Sequence, residues 1–561
     1  MNAHASNDKF STKILVVDDE RLIRMTMCAK LKRAGYEAVP AATVDEAVAA
    51  LKQNHKAFCA ILSDIMMGDM DGFMFRSIVR EIDTSIPFFF ITALDPEEGS
   101  GFLKRIVEDP MSFYLPKSAG AELLVSRVQR IVASRRVEQF IVNQIEETNQ
   151  SLKLASYVQL GMLPLRAWMT QAGFISTWWR PMEAVSGDLF EAVSFGDSKA
   201  LVVLGDVQGH GTSAALVMTA VQSTLKRLCR QDLMRPPRPL DIANSLQAFF
   251  RQDLANVSYM TALVCLHDAE TNTVRWISCG APDLSVFTPD GKLDVNPEKR
   301  GGFPVGLFPD TVYTEEDEVL TKLPPEAVCV AMTDGLFDNR REDGLQLPQD
   351  DLDAMIGELA VPALRDGSVI SLPYKIVTAV EEDGFRRYGD DVTVMCFGTR
   401  APDDAIYDAT VRLTPRSIDN AARALGAWCV GKAGWDEIAS EKLQLVLEEK
   451  LMNIYDHGFD ERERIRHVAA IRLRKNGKNA ELTVWDCGTP EPSMAVAAGD
   501  ADTTFELLNR DMSGHGRGRL MLRQMCNGIA RNRYSTLNET IYYLPLEEEG
   551  GGEKTGEEQV R

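Results

Sequence analysis

The middle of this 561-residue sequence carries five carboxylates beside apolar runs: Asp188, Asp206, Asp334, Asp390 and Asp391. The aliphatic run 201–204 is typical of a buried strand, so Asp206 is expected where the backbone leaves a sheet. The motifs around these acids contain no lysine or arginine, so carboxylates gathered there would require divalent cations. Two such cations can activate a water molecule to attack phosphorus in line. The pattern therefore predicts phosphoester hydrolysis without a covalent enzyme intermediate.

The segments between these acids predict the scaffold that positions them. Residues 259–268 and 274–280 alternate in polarity, and a Pro-Asp-Gly turn lies at 289–291, which together indicate antiparallel hairpins. An alanine-rich helix is expected over residues 214–228. We therefore expect a β-sandwich flanked by helices.

Several motifs in this region carry a family resemblance: SGD at 186–188, GDVQGHG at 205–211, GGFPVGL at 301–307, TDG at 333–335 and GDDVT at 389–393. Together they resemble the metal-dependent PPM serine/threonine phosphatases of the SpoIIE/RsbU branch. The resemblance implies an α/β/β/α sandwich over residues 156–400 that binds two Mn²⁺ or Mg²⁺ ions.

The same resemblance assigns roles to individual residues. It implies that Asp206 bridges both metals, and that the other members of the metal cluster are Asp188, the Val207 carbonyl, Asp334 and Asp390. Asp391 is expected to be a neighbour of the cluster rather than a ligand. His210 lies between two glycines, where it is either a proton donor or a turn residue, and the turn is slightly favoured.

A second set of chemically capable residues lies at the ends of N-terminal strands: Asp18, Asp19, Asp64, Thr92 and Lys117. Strands and helices alternate over residues 11–120, which predicts a doubly wound α/β fold with a parallel sheet and a ligand site at its carboxyl edge. Three carboxylates at that edge favour an oxygen-liganded Mg²⁺. The segment resembles a two-component receiver domain. By that resemblance Asp64 is the phosphoacceptor, Asp18 and Asp19 hold Mg²⁺ with it, and Tyr114 is a switch residue.

Residues 121–155 contain neither proline nor glycine and predict one long helix. Its apolar residues recur at helical spacing, but their phase slips near Arg135. A short coiled coil between two copies and a helix packed on its own receiver both satisfy this pattern. Homodimerisation through the helix is thus one of two open alternatives.

The last third of the chain predicts a nucleotide site. Glu449, Asn453 and His457 share one helix face, and a strand leads to Asp486 and Gly488. A glycine-rich stretch before a helix favours phosphate binding; its glycines are Gly514, Gly516 and Gly518.

These features resemble the Bergerat-type α/β sandwich of RsbW-like anti-sigma-factor serine kinases, here over residues 401–545. The resemblance implies ATP bound with Mg²⁺, with Glu449 as catalytic base and Asn453 as Mg²⁺ ligand. It also implies that Asp486 binds adenine, while Gly488 and the three lid glycines complete the nucleotide site.

The net charge of -21 disfavours nucleic acid and anionic membranes as partners. No apolar run reaches the length of a membrane span and no secretory signal pattern is present, so a cytoplasmic protein is expected. Flexible ends are expected at residues 1–10 and 546–561.

Together the three resemblances imply a response regulator, driven by a sensor histidine kinase, whose phosphatase acts on a STAS-domain anti-sigma-factor antagonist. The C-terminal domain would phosphorylate the same antagonist. Two alternatives remain open: a C-terminal domain that is mainly an anti-sigma module binding a sigma factor, and a nonenzymatic, phosphorylation-controlled adaptor.

Overall fold

The structure is a computed structural model. It describes residues 12–67, 70–93, 100–164, 166–169, 173–196, 198–230, 235–254, 257–324, 326–399, 405–459, 467–489, 522 and 524–546. The expected flexible end 1–10, and all but residue 546 of the expected tail 546–561, lie outside these residues. The chain divides into two compact units, Met1–Ser151 and Leu152–Arg561.

The first unit contains a parallel α/β sheet. Its strands are β1 (Lys13–Val17), β2 (Glu37–Ala41), β3 (Phe58–Asp64), the short β4 (Met66–Met67) and β5 (Met70–Asp71), β6 (Phe88–Thr92) and β7 (Ser112–Pro116). Its helices are α1 (Arg21–Arg33), α2 (Val44–Asn54), α3 (Gly72–Ile82) and α4 (Ser100–Val107). The main sheet has the order β2-β1-β3-β6-β7 with parallel pairing, and apolar clusters cover both faces. The prediction of a doubly wound sheet is confirmed.

Helix α5 (Ala121–Met162) continues beyond residue 155, where the sequence placed its end. Its first turns bury Leu124, Val128 and Val132 in the apolar cluster on one face of the receiver sheet. Its last turns are held by Gln159, whose side chain is buried and hydrogen-bonded to Ser186. This buried contact is the physical reason why the helix extends past the predicted boundary.

The second unit begins with two antiparallel sheets packed face to face. Their strands are β8 (Ala167–Met169), β9 (Gly173–Arg180), β10 (Asp188–Phe195), β11 (Lys199–Val207), β12 (Met260–Asp268), β13 (Thr273–Cys279), β14 (Ser285–Thr288), β15 (Gly291–Leu293), β16 (Glu318–Lys322), β17 (Val328–Met332) and β18 (Val392–Thr399). The sheet orders are β10-β11-β12-β13-β16 and β15-β14-β17-β18-β9-β8.

Helices cover both outer faces of this sandwich: α6 (Gly211–Arg230), α7 (Pro239–Gln252), α8 (Gln349–Asp366) and α9 (Leu372–Glu382). One apolar cluster lies between the sheets, a second lies under α6 and α7, and a third lies under α8 and α9. The four layers confirm the predicted α/β/β/α sandwich.

The C-terminal part adds an antiparallel sheet of order β19-β20-β21-β23-β22. Its elements are β19 (Ile406–Arg412), α10 (Pro415–Gly431), α11 (Glu437–His457), β20 (Val468–Asn476), β21 (Asn479–Asp486), β22 (Gly528–Tyr534) and β23 (Leu537–Pro545). Helices α10 and α11 pack on one face. On the other face Ala470, Trp485 and Leu537 join the apolar cluster under α8 and α9. The α/β sandwich prediction is confirmed, and its sheet shares a core with the preceding domain.

Across the described residues, every helix is too short or too polar to cross a membrane.

Candidate functional site

The receiver sheet brings the N-terminal candidates to one edge. Asp18 follows β1, Asp64 ends β3, Thr92 ends β6 and Lys117 follows β7. Because all four strands are parallel, these positions share the carboxyl edge of the sheet. The ligand oxygens of Asp18, Asp19 and Asp64 lie within 4.8 Å of one another, and oxygen donors in this number suit Mg²⁺.

Lys117 is the cation of this pocket. Its Nζ lies 2.6 Å from Asp64 Oδ2 and 3.4 Å from Asp18 Oδ2. Partial burial lowers the pKa of Lys117, but the hydrogen bond and charge of Asp64 outweigh burial and leave the pKa above its ordinary value. Burial raises the pKa of Asp18, and the nearby charge of Asp64 adds to that increase. A cation among these carboxylates would relieve their repulsion.

In the sandwich, Asp188 and Asp206 are directly opposite each other on paired strands. Asp188 begins β10, and its antiparallel partner in β11 is Asp206. Such cross-strand neighbours have their Cβ atoms about 5 Å apart, and like charges there are destabilising. Both side chains have an Oδ1 atom that is buried and accepts no hydrogen bond within the protein. These oxygens are therefore available to a cation.

Two threonines fix the other carboxylate oxygen of Asp188. Thr333 and Thr393 donate hydrogen bonds to Asp188 Oδ2 at 3.0 and 2.5 Å. Asp188 is fully buried, and burial raises its pKa well above the ordinary value, with the charge of Asp206 next in effect. Sequence reasoning did not single out these threonines, although one precedes Asp334 and the other closes the GDDVT motif.

The remaining acids of the sandwich act on Asp206 through their charge. Burial raises the pKa of Asp206 to about 8, with further contributions from Asp334, Asp390 and Asp391. Asp391 is buried, and its carboxylate accepts hydrogen bonds from two backbone amides, Met182 N and Gly187 N, both at 2.6 Å. Its oxygens hold the loop that leads to Asp188, which fits the expected role of a neighbour.

The spacing of this acidic cluster differs from that of the receiver pocket. Among the described residues, the receiver triad is the one group of three or more acidic, histidine or cysteine side chains whose ligand atoms all lie within 4.8 Å. Asp188, Asp206, Asp334 and Asp390 are thus spread more widely. Two metals lie about 3.5–4 Å apart in two-metal sites and divide their ligands between them. The buried Oδ1 atoms of Asp188 and Asp206, which have no hydrogen-bond partner, are the feature of this cluster that fits cations.

His210 has a partner that sequence reasoning missed. Its Nδ1 lies 2.8 Å from Glu183 Oε1, and both side chains are about half exposed. Gly209 and Gly211 on either side have positive φ angles of 83° and 77°. The loop therefore has the backbone geometry of the expected turn, and Glu183 orients the histidine ring.

The C-terminal candidates meet where α11 ends beside the end of β21. Glu449 and Asn453 are half-buried on α11, with Asn453 Nδ2 3.3 Å from Glu449 Oε1. The amide of Gly488 donates to Asp486 Oδ1 at 2.9 Å. A Cβ on Gly488 would lie 3.0 Å from the Gly458 backbone, so glycine permits this close approach. His457 is exposed at the end of the helix.

Two residues around Asp486 were not anticipated. Asn538 Nδ2 donates to Asp486 Oδ1 at 2.9 Å, and the buried Lys450 Nζ lies 3.8 Å from Asp486 Oδ2. Asp486 Oδ2 is buried and accepts no hydrogen bond within the protein. Its charge is paired with Lys450, while its capacity to accept a hydrogen bond is not used by the described residues. Gly514, Gly516 and Gly518 lie outside the described residues.

Family models match three successive parts of the chain. The model described as "Response regulator receiver domain" matches residues 14–129. "Stage II sporulation protein E (SpoIIE)" matches residues 196–400, and "Histidine kinase-like ATPase domain" matches residues 411–541.

Two curated proteins resemble parts of the chain. The probable transcriptional regulator ycf27 of Porphyridium aerugineum is 27% identical over 154 residues, which cover 27% of this chain and 58% of that protein. The phosphoserine phosphatase RsbP of Bacillus subtilis is 22% identical over 201 residues, which cover 36% of this chain and 47% of that protein. The chain thus spans about half the length of these curated relatives.

Among solved structures, the RsbU and RsbW domains of Rv1364c from Mycobacterium tuberculosis align with 68% of this chain and 96% of their own. The identity is 17% and the TM-score is 0.36.

Proposed function

We propose that this chain is a phosphorylation-controlled protein-serine/threonine phosphatase. It carries a receiver domain, a SpoIIE-type PPM phosphatase domain and a histidine kinase-like ATPase domain, in this order. The observation that carries the proposal is the directly opposed pair of Asp188 and Asp206, each with a buried and uncompensated carboxylate oxygen. Such a pair is costly without cations, and it lies within the expected metal cluster.

Different residues of the sandwich would have different roles in hydrolysis. Bound Mn²⁺ or Mg²⁺ ions supply an activated water molecule and neutralise phosphate charge. Asp206 would contact both metals, with the Val207 carbonyl, Asp334 and Asp390 as further ligands. Asp188, held by two threonine hydroxyls, presents its remaining oxygen in one orientation. Asp188 is thereby held in place before substrate binds, so it would need little reorganisation during the reaction.

The test uses the purified full chain, Mn²⁺ and a phosphorylated antagonist. We expect Asp206→Ala to lower the rate of phosphate release at least 100-fold, and chelation of the metal to abolish it. Asp268→Asn is the matched control, because Asp268 lies at the opposite end of the β11–β12 pairing from Asp206 and pairs with Lys199. Equal rates of phosphate release for wild type and Asp206→Ala would refute the proposed phosphatase activity.

We propose that the receiver controls this activity. A sensor histidine kinase would transfer a phosphoryl group to Asp64 with Mg²⁺ held by Asp18 and Asp19. Lys117 lies close enough to Asp64 to pair with the phosphoryl oxygens, and Thr92 lies on the same sheet edge. Comparing phosphatase rates with and without acetyl phosphate, in wild type and Asp64→Asn, tests this control.

For substrate and partners, we propose a STAS-domain anti-sigma-factor antagonist in the cytoplasm. The likeness to RsbP, a phosphoserine phosphatase, supports a phosphoserine substrate. An anti-sigma or sigma factor would then act downstream.

For the C-terminal domain we propose ATP-dependent phosphorylation of the same antagonist. Glu449 would accept the serine proton, Asn453 would hold Mg²⁺, and Asp486 would accept a hydrogen bond from adenine. The buried Oδ2 atom of Asp486, which accepts no hydrogen bond within the described residues, supports a nucleotide. If ATP binds without transfer, the domain is an anti-sigma module that binds a sigma factor. If neither site turns over, the chain is a nonenzymatic adaptor.

A further inference from the structure

Residues 301–313, here called the apolar loop, expose large apolar side chains. The exposed fractions are 61% for Phe303, 49% for Phe308 and 71% for Val312. The rings of Phe303 and Phe308 pack edge to face with centroids 5.1 Å apart, so they form one aromatic patch. Apolar side chains that remain exposed to water do not gain the free energy of burial. An exposed apolar patch of this kind is typical of an interaction surface.

The apolar loop is held in place by hydrogen bonds. Val305 exchanges backbone hydrogen bonds with Met260 at 2.8 and 2.9 Å. The side chain of Gln247 accepts from Gly306 N and donates to the Phe308 carbonyl, both at 2.8 Å. The hydroxyl of Tyr313 donates to the Phe303 carbonyl at 2.7 Å. A patch on so fixed a backbone loses little conformational entropy when a partner binds.

The apolar loop lies beside the metal-site edge of the sandwich. Met260, its partner in β12, is paired in turn with Val207, the expected carbonyl ligand at the end of β11. Neighbouring strands are about 4.8 Å apart, so the backbone of Val305 lies roughly 10 Å from that of Val207. A small phosphoester in the metal site would not span this distance, whereas the surface of a folded protein would.

We infer that the apolar loop is the docking surface for the folded protein that carries the phosphoserine. The inference rests on the proposed phosphatase and identifies what it recognises: a folded protein whose surface covers the apolar patch beside the metal-site edge. Continuity between the loop and the metal-site edge favours this occupant, because a phosphoserine inserted there places its own protein over Phe303 and Phe308. Exposed charges of both signs flank the patch, with Lys299 before it and Asp310 and Glu316 after Phe308, so a polar rim of mixed charge on the partner fits.

The test compares two substrates of the full chain with Mn²⁺: the phosphorylated antagonist and p-nitrophenyl phosphate. We expect the double variant Phe303→Ser, Phe308→Ser to lose at least tenfold more kcat/KM on the phosphoprotein than on the small ester, mainly through KM. Leu345→Ser is the matched control, because Leu345 is 50% exposed in a different loop of the same domain. An unchanged melting temperature would show that the fold is retained.

Other outcomes overturn the inference. Equal losses on both substrates would mean that the aromatics support catalysis or folding in general. Unchanged kinetics, with a change in sedimentation from dimer to monomer, would assign the loop to a second copy of this chain. A wild-type chain that hydrolyses neither substrate would instead refute the proposed phosphatase, and that result is distinguishable because it appears before any loop variant is made.

Discussion

At the scale of single residues, the sandwich site depends on side chains that do not themselves bind metal. Asp188 can act as a ligand or orienting group only while its Oδ2 atom accepts hydrogen bonds. The hydroxyls of Thr333 and Thr393 donate these hydrogen bonds. Without their hydroxyls, a fully buried carboxylate opposite Asp206 would have neither donors nor solvent. Outer hydrogen-bond partners of this kind commonly alter metal affinity 10- to 100-fold.

We therefore predict that Thr393→Val raises the Mn²⁺ concentration for half-maximal phosphatase activity about 10- to 100-fold. The measurement is a Mn²⁺ titration with p-nitrophenyl phosphate, so protein docking does not enter. Thr288→Val is the control, because Thr288 is also buried and hydrogen-bonded but lies at the β14–β15 turn. An unaltered Mn²⁺ requirement in Thr393→Val would mean that Asp188 needs no fixed orientation.

In the nucleotide domain, we predict that Glu449→Ala lowers phosphoryl transfer from ATP to the antagonist by about 100-fold or more, because a positioned base contributes that much. Glu448→Ala is the matched control, since Glu448 is the adjacent, exposed residue of the same helix. Transfer is measured with labelled ATP in the full chain. Nucleotide affinity should persist in both variants, and equal transfer by Glu449→Ala and wild type would exclude Glu449 as the base.

At the scale of elements, sequence patterns placed the strands well because each has a clear physical signature. The buried run of β3 ends at Asp64, and β11 delivers Asp206 to its end, as alternation and apolar content indicated. The hydrogen bonds from Thr333 and Thr393 to Asp188 could not be predicted in this way. They join positions 145 and 205 residues apart, and local patterns carry no information about such distant pairs.

Helix α5 packs on its own receiver in its first turns, which is one of the two alternatives that its sequence left open. Its first turns pack on the receiver sheet, whereas Val137, Ile141 and Ile145 are 51–60% exposed. The slip in apolar phase near Arg135 marks this change. The exposed stripe leaves an apolar surface of the helix without a partner among the described residues, which supports the hypothesis of a second copy packed along it.

We predict that Ile141→Glu combined with Ile145→Glu shifts the full chain from dimer to monomer. The glutamates of one helix would be buried against the like charges of the second helix. Asn143→Glu is the control on the opposite side of the helix. Sedimentation velocity over a range of concentrations gives the association constant. A chain that is monomeric before substitution, or a dimer that both variants retain, would contradict the helical interface.

At the scale of the whole molecule, the phosphatase and ATPase domains of the second unit share a core. Arg472 of β20 pairs with Asp408 at 2.9 Å and donates to the carbonyl of Gly367 at the end of α8. The hydroxyl of Tyr374 on α9 lies 3.3 Å from Cys487 Sγ, next to Asp486. The sequence indicated only that Trp485 belongs to a buried strand, because composition cannot tell a domain core from a surface shared by two domains.

A substitution at Gly367 can test whether the shared core makes the two domains unfold as one cooperative unit. Its φ is 74°, and a Cβ there would collide with the guanidinium of Arg472. Gly344→Ala is the matched control, since Gly344 also has a positive φ, 88°, but has open space around its Cβ position. Both alanines incur the strain of a left-handed backbone, about 1 kcal/mol. Only Gly367→Ala also displaces a buried ion pair, which costs on the order of 3 kcal/mol more.

We therefore predict that Gly367→Ala lowers the melting temperature of the full chain by roughly 6 °C more than Gly344→Ala does, at about 2 °C per kcal/mol. Because Gly367 lies in one domain and Arg472 in the other, the substitution should also speed hydrogen exchange in the hairpin of β22 and β23, far away in sequence. Exchange measured by mass spectrometry would locate the effect. If Gly367→Ala accelerated exchange only around α8, the two domains would unfold independently despite their shared core.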